Sequence, residues 1–155
     1  MWKALHSLFG NLISRPSHRE WASPKASRLG IVALGVADHN RKLLENVAAR
    51  NLWDVHFTDT CGEAWEVLNR VKAPVILCDR DLAGTEWRDV VQKMASSPHK
   101  ACTILLSRVV DDYLWNEVMG KGGYDVLPKP LREEDLIRSV KLAGSYWNTS
   151  RNHYA

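Results

Sequence analysis

The stretch PVILCDRDLAGTEW, residues 74–87, decides the fold of this chain. Four consecutive apolar residues follow its proline, and Asp79 closes the run. A continuous apolar run of this length is typical of a central strand in a parallel sheet, where both faces are buried. Asp79 is then expected at the carboxyl end of that strand. In open α/β sheets, ligands bind and catalytic residues lie at the carboxyl ends of the strands. Aspartate also caps helices. However, Thr85 is the better-placed cap for the next helix, which favours a functional role for Asp79.

Strand and helix patterns alternate before and after this segment. Four further strand patterns lie at residues 31–36, 53–58, 102–107 and 124–127. Apolar residues recur at helical spacing after each of the five strands. Thr60 and Glu63 form a capping-box pattern, and Asp111 or Asp112 is expected to cap the fourth helix. The tryptophans on apolar helix faces are expected in the core: Trp65, Trp87 and Trp115. This alternation predicts an α/β fold, a doubly wound five-stranded parallel sheet in the flavodoxin-like order 2-1-3-4-5 with helices on both faces.

Composition and charge divide the chain into a domain and two ends. We predict a basic, partly amphipathic extension and linker at residues 1–28, the domain at residues 29–147, and a loose tail at residues 148–155. Residues 1–29 carry five basic side chains and one acid, whereas the remainder carries 16 bases and 17 acids. The domain therefore lacks the charge of a direct nucleic-acid binder. No apolar run approaches the ~20 residues of a membrane span. The three cysteines lack the spacing of metal ligands, which indicates free thiols in a cytoplasmic protein.

The predicted topology brings polar side chains to one rim, because the carboxyl ends of parallel strands lie at the same edge of a sheet. These side chains are Asp38, Asp79, Asp81, Ser107 and Lys129. A carboxylate beside a lysine and a hydroxyl suits phosphoryl transfer, since the aspartate can attack phosphorus while the other two groups bind its oxygens. A Mg²⁺ ion held by acids and a carbonyl would screen the carboxylate from an incoming phosphate. Each residue alone has a structural alternative, such as helix capping for Asp38 or an ion pair with Glu133 for Lys129.

Three motifs resemble those of a response-regulator receiver domain, the CheY-like module of bacterial two-component phosphorelays. They are VILCD at residues 75–79, ILLS at residues 104–107 and GGYDVLPKPL at residues 122–131. The likeness extends from about residue 29 to residue 144. It implies that Asp79 is the phosphoacceptor, Ser107 the switch hydroxyl and Lys129 the phosphate-binding lysine. It also implies a cis peptide before Pro130 and a Mg²⁺ site formed by Asp38, Asp79 and the backbone carbonyl of Asp81.

The resemblance further implies a function. The chain is expected to be a single-domain response regulator that takes a phosphoryl group on Asp79 from a histidine kinase or phosphotransfer protein. It would signal to a downstream protein through the surface formed by helix 4, strand 5 and helix 5, with neither direct nucleic-acid binding nor a membrane span. It would not be an enzyme beyond self-phosphorylation and autodephosphorylation at Asp79.

Three departures from the family pattern support a second hypothesis. The turn at residues 36–39 looks like the family's acidic pair with its first acid replaced by Ala37, which should weaken magnesium binding because each carboxylate supplies charge as well as an oxygen. Val126 stands where an aromatic residue is common, and Arg108 replaces the usual small residue after Ser107. The alternative is therefore a phosphorylation-independent pseudo-receiver that acts as a protein-interaction module.

A more remote hypothesis is a phosphatase of the haloacid-dehalogenase type. Asp79-Arg80-Asp81 is similar to the DxD motif of those enzymes, which also form an aspartyl phosphate. However, the motif follows the third strand rather than the first, and Asp111-Asp112 precedes Lys129, which is the wrong order for the closing acidic pair.

Overall fold

The computed structural model describes residues 28–154, so the predicted N-terminal extension lies almost wholly outside the described residues. Strands and helices alternate throughout this part of the chain. The elements are β1 (Leu29–Leu34), α1 (Asp38–Asn51), β2 (Trp53–Thr58), α2 (Cys61–Val71), β3 (Val75–Asp79), α3 (Trp87–Ala95), β4 (Cys102–Ser107), α4 (Asp112–Gly120), β5 (Asp125–Pro128) and α5 (Glu133–Tyr154).

The five strands form one sheet in the order β2-β1-β3-β4-β5. Every neighbouring pair is parallel, which confirms the predicted doubly wound arrangement. β3 lies at the centre, where Leu77 is level with Ala33 of β1 and Ile104 of β4. The strand order reverses at the neighbouring strands β1 and β3, and ligands of such folds bind outside the carboxyl ends of the strands at that point.

Both faces of the sheet are covered, as the apolar run of β3 predicts. Side chains of a strand point alternately to opposite faces, so Leu77 belongs to the core under α1 and α5, whereas Ile76 belongs to the core under α2, α3 and α4. Both are fully buried. Burial of one such side chain contributes about 1.5–3 kcal/mol, and this double-sided burial fixes β3 and therefore the position of Asp79 at its end.

Several element ends follow from local chemistry. The Thr60 hydroxyl accepts a hydrogen bond from the Glu63 N–H (3.2 Å), and the Asp111 carboxylate accepts one from the Leu114 N–H (2.8 Å), so both predicted caps are confirmed. The prediction for Thr85 was wrong, because α3 starts one residue later, after Glu86, and the Thr85 hydroxyl donates instead to the carbonyl of Ala83 (3.3 Å).

Strand β1 also begins and ends two residues earlier than predicted, at Leu29 and Leu34. Gly35 follows it with a φ of +73°. Glycine adopts this left-handed conformation at little cost, and the Gly35 N–H donates to the Thr58 carbonyl (3.0 Å). The chain therefore turns out of the strand at Gly35 rather than after Val36.

Two predictions about the helices were wrong. The segment from Asn148 to Tyr154 continues α5 instead of forming a loose tail, since buried Trp147 ties this end to the domain by donating from Nε1 to the His99 carbonyl (2.8 Å). Trp115 is 45% exposed rather than part of the core. On α4 only Leu114 and Val118, one turn apart, are buried, which leaves Trp115 outside the buried stripe. Among residues 28–154 no helix combines the length and apolar character of a membrane-spanning segment.

Candidate functional site

The ends of β3, β4 and β5 are joined by backbone hydrogen bonds. The Arg80 N–H donates to the Leu106 carbonyl, and the Lys129 N–H donates to the Ser107 carbonyl, both at 2.9 Å. Asp79, Ser107 and Lys129 consequently lie at the ends of three adjacent strands, on the rim that the sequence predicts.

An ion pair between Lys129 and Asp79 forms the centre of this rim. The Lys129 ammonium donates to Oδ1 and Oδ2 of Asp79 at 2.9 and 2.8 Å, and both side chains are only 11% exposed. Asp79 Oδ1 also accepts a hydrogen bond from the Asp81 backbone N–H at 2.8 Å. Charged hydrogen bonds are the strong ones in proteins, so these three contacts fix the orientation of the carboxylate. The alternative partner for Lys129 is otherwise engaged, because Glu133 pairs with Arg50 at 2.7 Å.

The loop that carries Lys129 is held from another part of the chain. The peptide between Lys129 and Pro130 is cis, as the resemblance implies. The next N–H, that of Leu131, donates to the Asn40 side-chain carbonyl at 2.8 Å. Asn40 lies in the first turn of α1, so a polar contact between residues far apart in sequence fixes the start of the β5–α5 loop.

The Asp81 side chain is a second carboxylate of the site. Its Oδ2 accepts from the Lys129 ammonium at 3.1 Å and from Arg108 at 3.5 Å. The hydrogen bond from Lys129 lowers the pKa of the Asp81 carboxyl below its ordinary value; burial opposes this shift slightly, and the charge of Arg108 supports it. One ammonium thus bridges two carboxylates, and Arg108 approaches the second from solvent.

Ser107 is buried and its hydroxyl is fully engaged. It donates to the Val109 carbonyl at 2.7 Å, and accepts from the Arg80 guanidinium at 3.2 Å and the Val109 N–H at 3.3 Å. The Arg80 guanidinium also lies over the Trp87 ring, 5.7 Å from its centre. Val109 therefore holds the Ser107 hydroxyl toward the β4–α4 loop, and Arg80 occupies its remaining acceptor position.

Asp38 lies apart from these groups. It is exposed at the start of α1 with a φ of +51°, and no hydrogen bond or ion pair joins it to Asp79, Asp81 or Lys129 in the described part of the chain. Within residues 28–154 no three His, Cys, Asp or Glu side chains converge as metal ligands. The rim can therefore present a fixed carboxylate nucleophile and cations that bind phosphoryl oxygens. A preformed cluster of three metal ligands is not found there within residues 28–154.

Sequence comparison assigns this architecture to a family. Residues 36–141 match the family described as "Response regulator receiver domain". The chain belongs to this family. No curated protein matches the chain.

Solved structures of receiver domains are similar to this receiver domain in fold. The signal receiver domain of an HD domain-containing protein from Pseudomonas fluorescens Pf-5 is 17% identical, with a TM-score of 0.72 over 81% of this chain and 93% of that chain. CheY4 of Vibrio cholerae is 14% identical, with a TM-score of 0.68 over 76% and 99%. A response regulator from Thermotoga maritima is 20% identical, with a TM-score of 0.68 over 76% and 98%. At these identities the likeness concerns the fold alone.

Receiver domains typically bind Mg²⁺ at their acidic pocket, and the residues of this receiver domain fit that ion poorly. Ala37 replaces one carboxylate of the family's acidic pair, and Asp38 is exposed and does not converge with Asp79 and Asp81 as a metal ligand. The two carboxylates that do converge, those of Asp79 and Asp81, meet on the Lys129 ammonium instead. Hard cations such as Mg²⁺ need several oxygen ligands in a regular geometry, and this arrangement does not offer them.

The sequence predicts no role for one contributor to the site, Arg80, which contacts Ser107. Asp81 was expected at the rim and as a metal ligand through its backbone carbonyl, but the contact of its side chain with Lys129 was not predicted. The available signal was position, since both residues directly follow the strand end at Asp79 and therefore must emerge at the same rim.

Proposed function

We propose that this receiver domain acts as a response regulator that accepts a phosphoryl group on Asp79 from a histidine kinase or phosphotransfer protein in the cytoplasm. The observation that best supports the proposal is the contact of the Lys129 ammonium with both oxygens of Asp79 at the end of the central strand. Receiver domains are in general signalling modules rather than enzymes, and we extend this to the chain except for self-phosphorylation and autodephosphorylation at Asp79.

The proposed chemistry uses groups already at the rim. An oxygen of Asp79 attacks phosphorus, and the bond from phosphorus to the donor's imidazole nitrogen breaks, with its electron pair leaving on that nitrogen. The Lys129 ammonium then binds a phosphoryl oxygen in place of a carboxylate oxygen and neutralises part of its charge. Ser107 is the switch hydroxyl of this proposal and would donate to another phosphoryl oxygen, which requires it to leave the Val109 carbonyl.

The movement of Ser107 links the site to an interaction surface. Its present partner, Val109, lies in the loop that leads into α4. A new dianion that draws the hydroxyl inward would also draw this loop and bias a two-state element. We propose that the downstream protein binds the surface formed by α4, β5 and α5, where Tyr113 and Trp115 of α4 are exposed.

Magnesium has a reduced part in this proposal. The proposed ligands remain Asp38, Asp79 and the backbone carbonyl of Asp81, but we expect weak binding because Ala37 replaces one carboxylate. The cations Lys129 and Arg108 would supply most of the positive charge near the phosphoryl group. If phosphorylation is retained at low magnesium concentration, this would support the assignment of most of the positive charge to Lys129 and Arg108. A steep dependence of phosphorylation on magnesium concentration would contradict it.

A phosphorylation-independent interaction module is the second candidate function. Two specific observations favour it: Ala37 replaces one carboxylate of the acidic pair, and Arg80 together with Val109 occupies the Ser107 hydroxyl. The hydroxyl that a switch would use is therefore already engaged by the protein itself.

Intact-mass measurement of the full chain with a small-molecule phosphodonor, over a series of magnesium concentrations, distinguishes the two candidates. We expect a mass gain of one phosphate that Asp79→Asn abolishes and Asp89→Asn, an exposed control outside the site, leaves unchanged. A chain that gains no phosphate at any magnesium concentration would rule out the first candidate and favour the second. Steady release of phosphate from small phosphomonoesters would instead support the phosphatase hypothesis.

A further inference from the structure

A second concave site lies at the end of the domain opposite Asp79. It is an open groove of about 1420 Å³ between the ends of α2 and α5 and the loops that precede β4 and β5. Strand β3 separates this groove from the rim by about 13 Å, since each strand residue advances about 3.3 Å. The groove thus shares no residue with the phosphorylation site proposed above.

The charge of this groove is one-sided. Lys72, Lys100 and Arg151 line it, and no Asp or Glu does so within the described range. Moreover, none of these three cations forms an ion pair with another described residue. Cations held together without carboxylates create a local positive potential, which a concave surface concentrates.

Two of these cations lie near the His99 ring. His99 Nε2 hydrogen-bonds the carbonyl of Ala73, the residue directly after Lys72, at 2.9 Å, and its ring centre lies 6.5 Å from that of Trp147, over which the Arg151 guanidinium lies. Consistent with this, burial lowers the pKa of the His99 imidazole and the charges of Lys72 and Arg151 lower it further, against the hydrogen bond to Ala73. The two cations come from different elements, the end of α2 and the last turns of α5, so the tertiary fold brings them together.

Aromatic side chains form the rest of the wall. The rings of Tyr124 and Tyr146 pack against each other with centres 5.6 Å apart, and Tyr146 remains 59% exposed. Trp147 lies beside them with the Arg151 guanidinium 4.6 Å above its ring, and Trp65 lines the groove from α2. Tyr146 is the exposed ring of this wall, and an exposed aromatic face next to cations can bind a planar ring that carries anionic groups, by stacking and by charge.

We propose that this groove binds a free nucleoside polyphosphate, with its base against Tyr146 and Tyr124 and its phosphates at Lys72 and Arg151. Inorganic phosphate would fill only a small part of a groove of this volume and would leave the aromatic wall unused. A polynucleotide is disfavoured, because the chain beyond residue 29 carries 16 basic and 17 acidic side chains, so its net charge does not attract a polyanion.

Titration of the full chain, followed by tryptophan fluorescence, tests this proposal because Trp65 and Trp147 line the groove. The probes are ATP and GTP, with adenosine as a base without phosphates and inorganic tripolyphosphate as an anion without a base. We expect a nucleotide to bind more tightly than adenosine and tripolyphosphate. Lys72→Gln and Arg151→Gln should each weaken nucleotide binding about tenfold, whereas Lys42→Gln, an exposed lysine of α1, should not.

A third variant separates the two halves of the groove. Tyr146→Ala should weaken nucleotide binding and leave tripolyphosphate binding unchanged. Equal affinity for ATP and tripolyphosphate would overturn the assignment of the aromatic wall. Absence of binding at millimolar nucleotide would overturn the proposal. Phosphorylation of Asp79 in these variants should equal that of the wild type, so failure here is distinct from failure of the function proposed above.

Discussion

Replacement of Lys129 by methionine should destabilise the domain more than replacement of Asp79 by asparagine. Lys129→Met retains an unbranched side chain and removes the ammonium. The Asp79 carboxylate, 11% exposed, then keeps only the hydrogen bond from the Asp81 N–H. Loss of one partner of a buried pair costs about 3–5 kcal/mol. Because this pair retains some solvent contact, we expect about 2–3 kcal/mol.

The reverse substitution leaves a better-compensated site. In Asp79→Asn the Lys129 ammonium keeps the Asp81 carboxylate at 3.1 Å, and the asparagine carbonyl can still accept from the Asp81 N–H. We therefore expect a loss of about 1 kcal/mol, near the net contribution of one hydrogen bond. The double variant Asp79→Asn/Lys129→Met should be more stable than the sum of the two losses predicts, by about 1–2 kcal/mol, because contacting residues couple.

Urea unfolding followed by circular dichroism and tryptophan fluorescence measures these differences. In thermal unfolding, Lys129→Met should lower the midpoint by roughly 5–10 °C, given about 2–4 °C per kcal/mol at this chain length. Lys141→Met, at an exposed position of α5, is the matched control and should remain within about 0.5 kcal/mol of the wild type. If Lys129→Met were as stable as Asp79→Asn, or if the two substitutions were additive, the bridging role of the ammonium would be refuted.

Two further predictions concern titratable groups elsewhere in the domain. Hydrogen bonds from Arg88 hold the pKa of Glu117 below its ordinary value of 4.5, so their stabilising effect is present above that pH and is lost as the pH falls through the lowered pKa. Arg88→Gln should thus be less stable than the wild type at neutral pH and approach it in acid, and a pH-independent difference in urea unfolding would contradict this. Burial raises the pKa of the Cys102 thiol to about 11 and also raises that of Cys78, so a disulfide reagent at about pH 8 should label only Cys61 rapidly in the folded protein. Rapid labelling of all three thiols without denaturant would show that this burial is wrong.

The sequence was sufficient for the fold because its strongest signals are local. A continuous apolar run is fully buried only where both faces of a strand are covered. Residues 75–78 therefore indicated a strand at the centre of the sheet. The order of the strands then followed from the alternation of elements and the handedness of crossovers. The rim was predictable for the same reason, since topology alone places Asp79, Ser107 and Lys129 at neighbouring strand ends.

The errors arise where long-range packing decides the outcome. Trp115 has the helical spacing of a core residue, but the width of the buried stripe on α4 depends on how the helix sits on the sheet. The contact of Arg80 with Ser107 joins side chains 27 residues apart, and no local pattern reveals which rotamer a flexible guanidinium adopts. The last helix turns follow Trp147, whose hydrogen-bond partner lies 48 residues away.

The hydrogen bond between Asn40 and the Leu131 N–H has a consequence for genetics. It connects positions 91 residues apart and fixes the segment that directly follows Lys129. A random-mutagenesis screen for inactive alleles should therefore recover substitutions of Asn40, although its side chain never touches the carboxylates. If only the acidic and basic side chains of this rim were introduced into another protein, the hydrogen bond from Leu131 to Asn40 would be missing. The introduced lysine would then no longer be held in its orientation toward the aspartate.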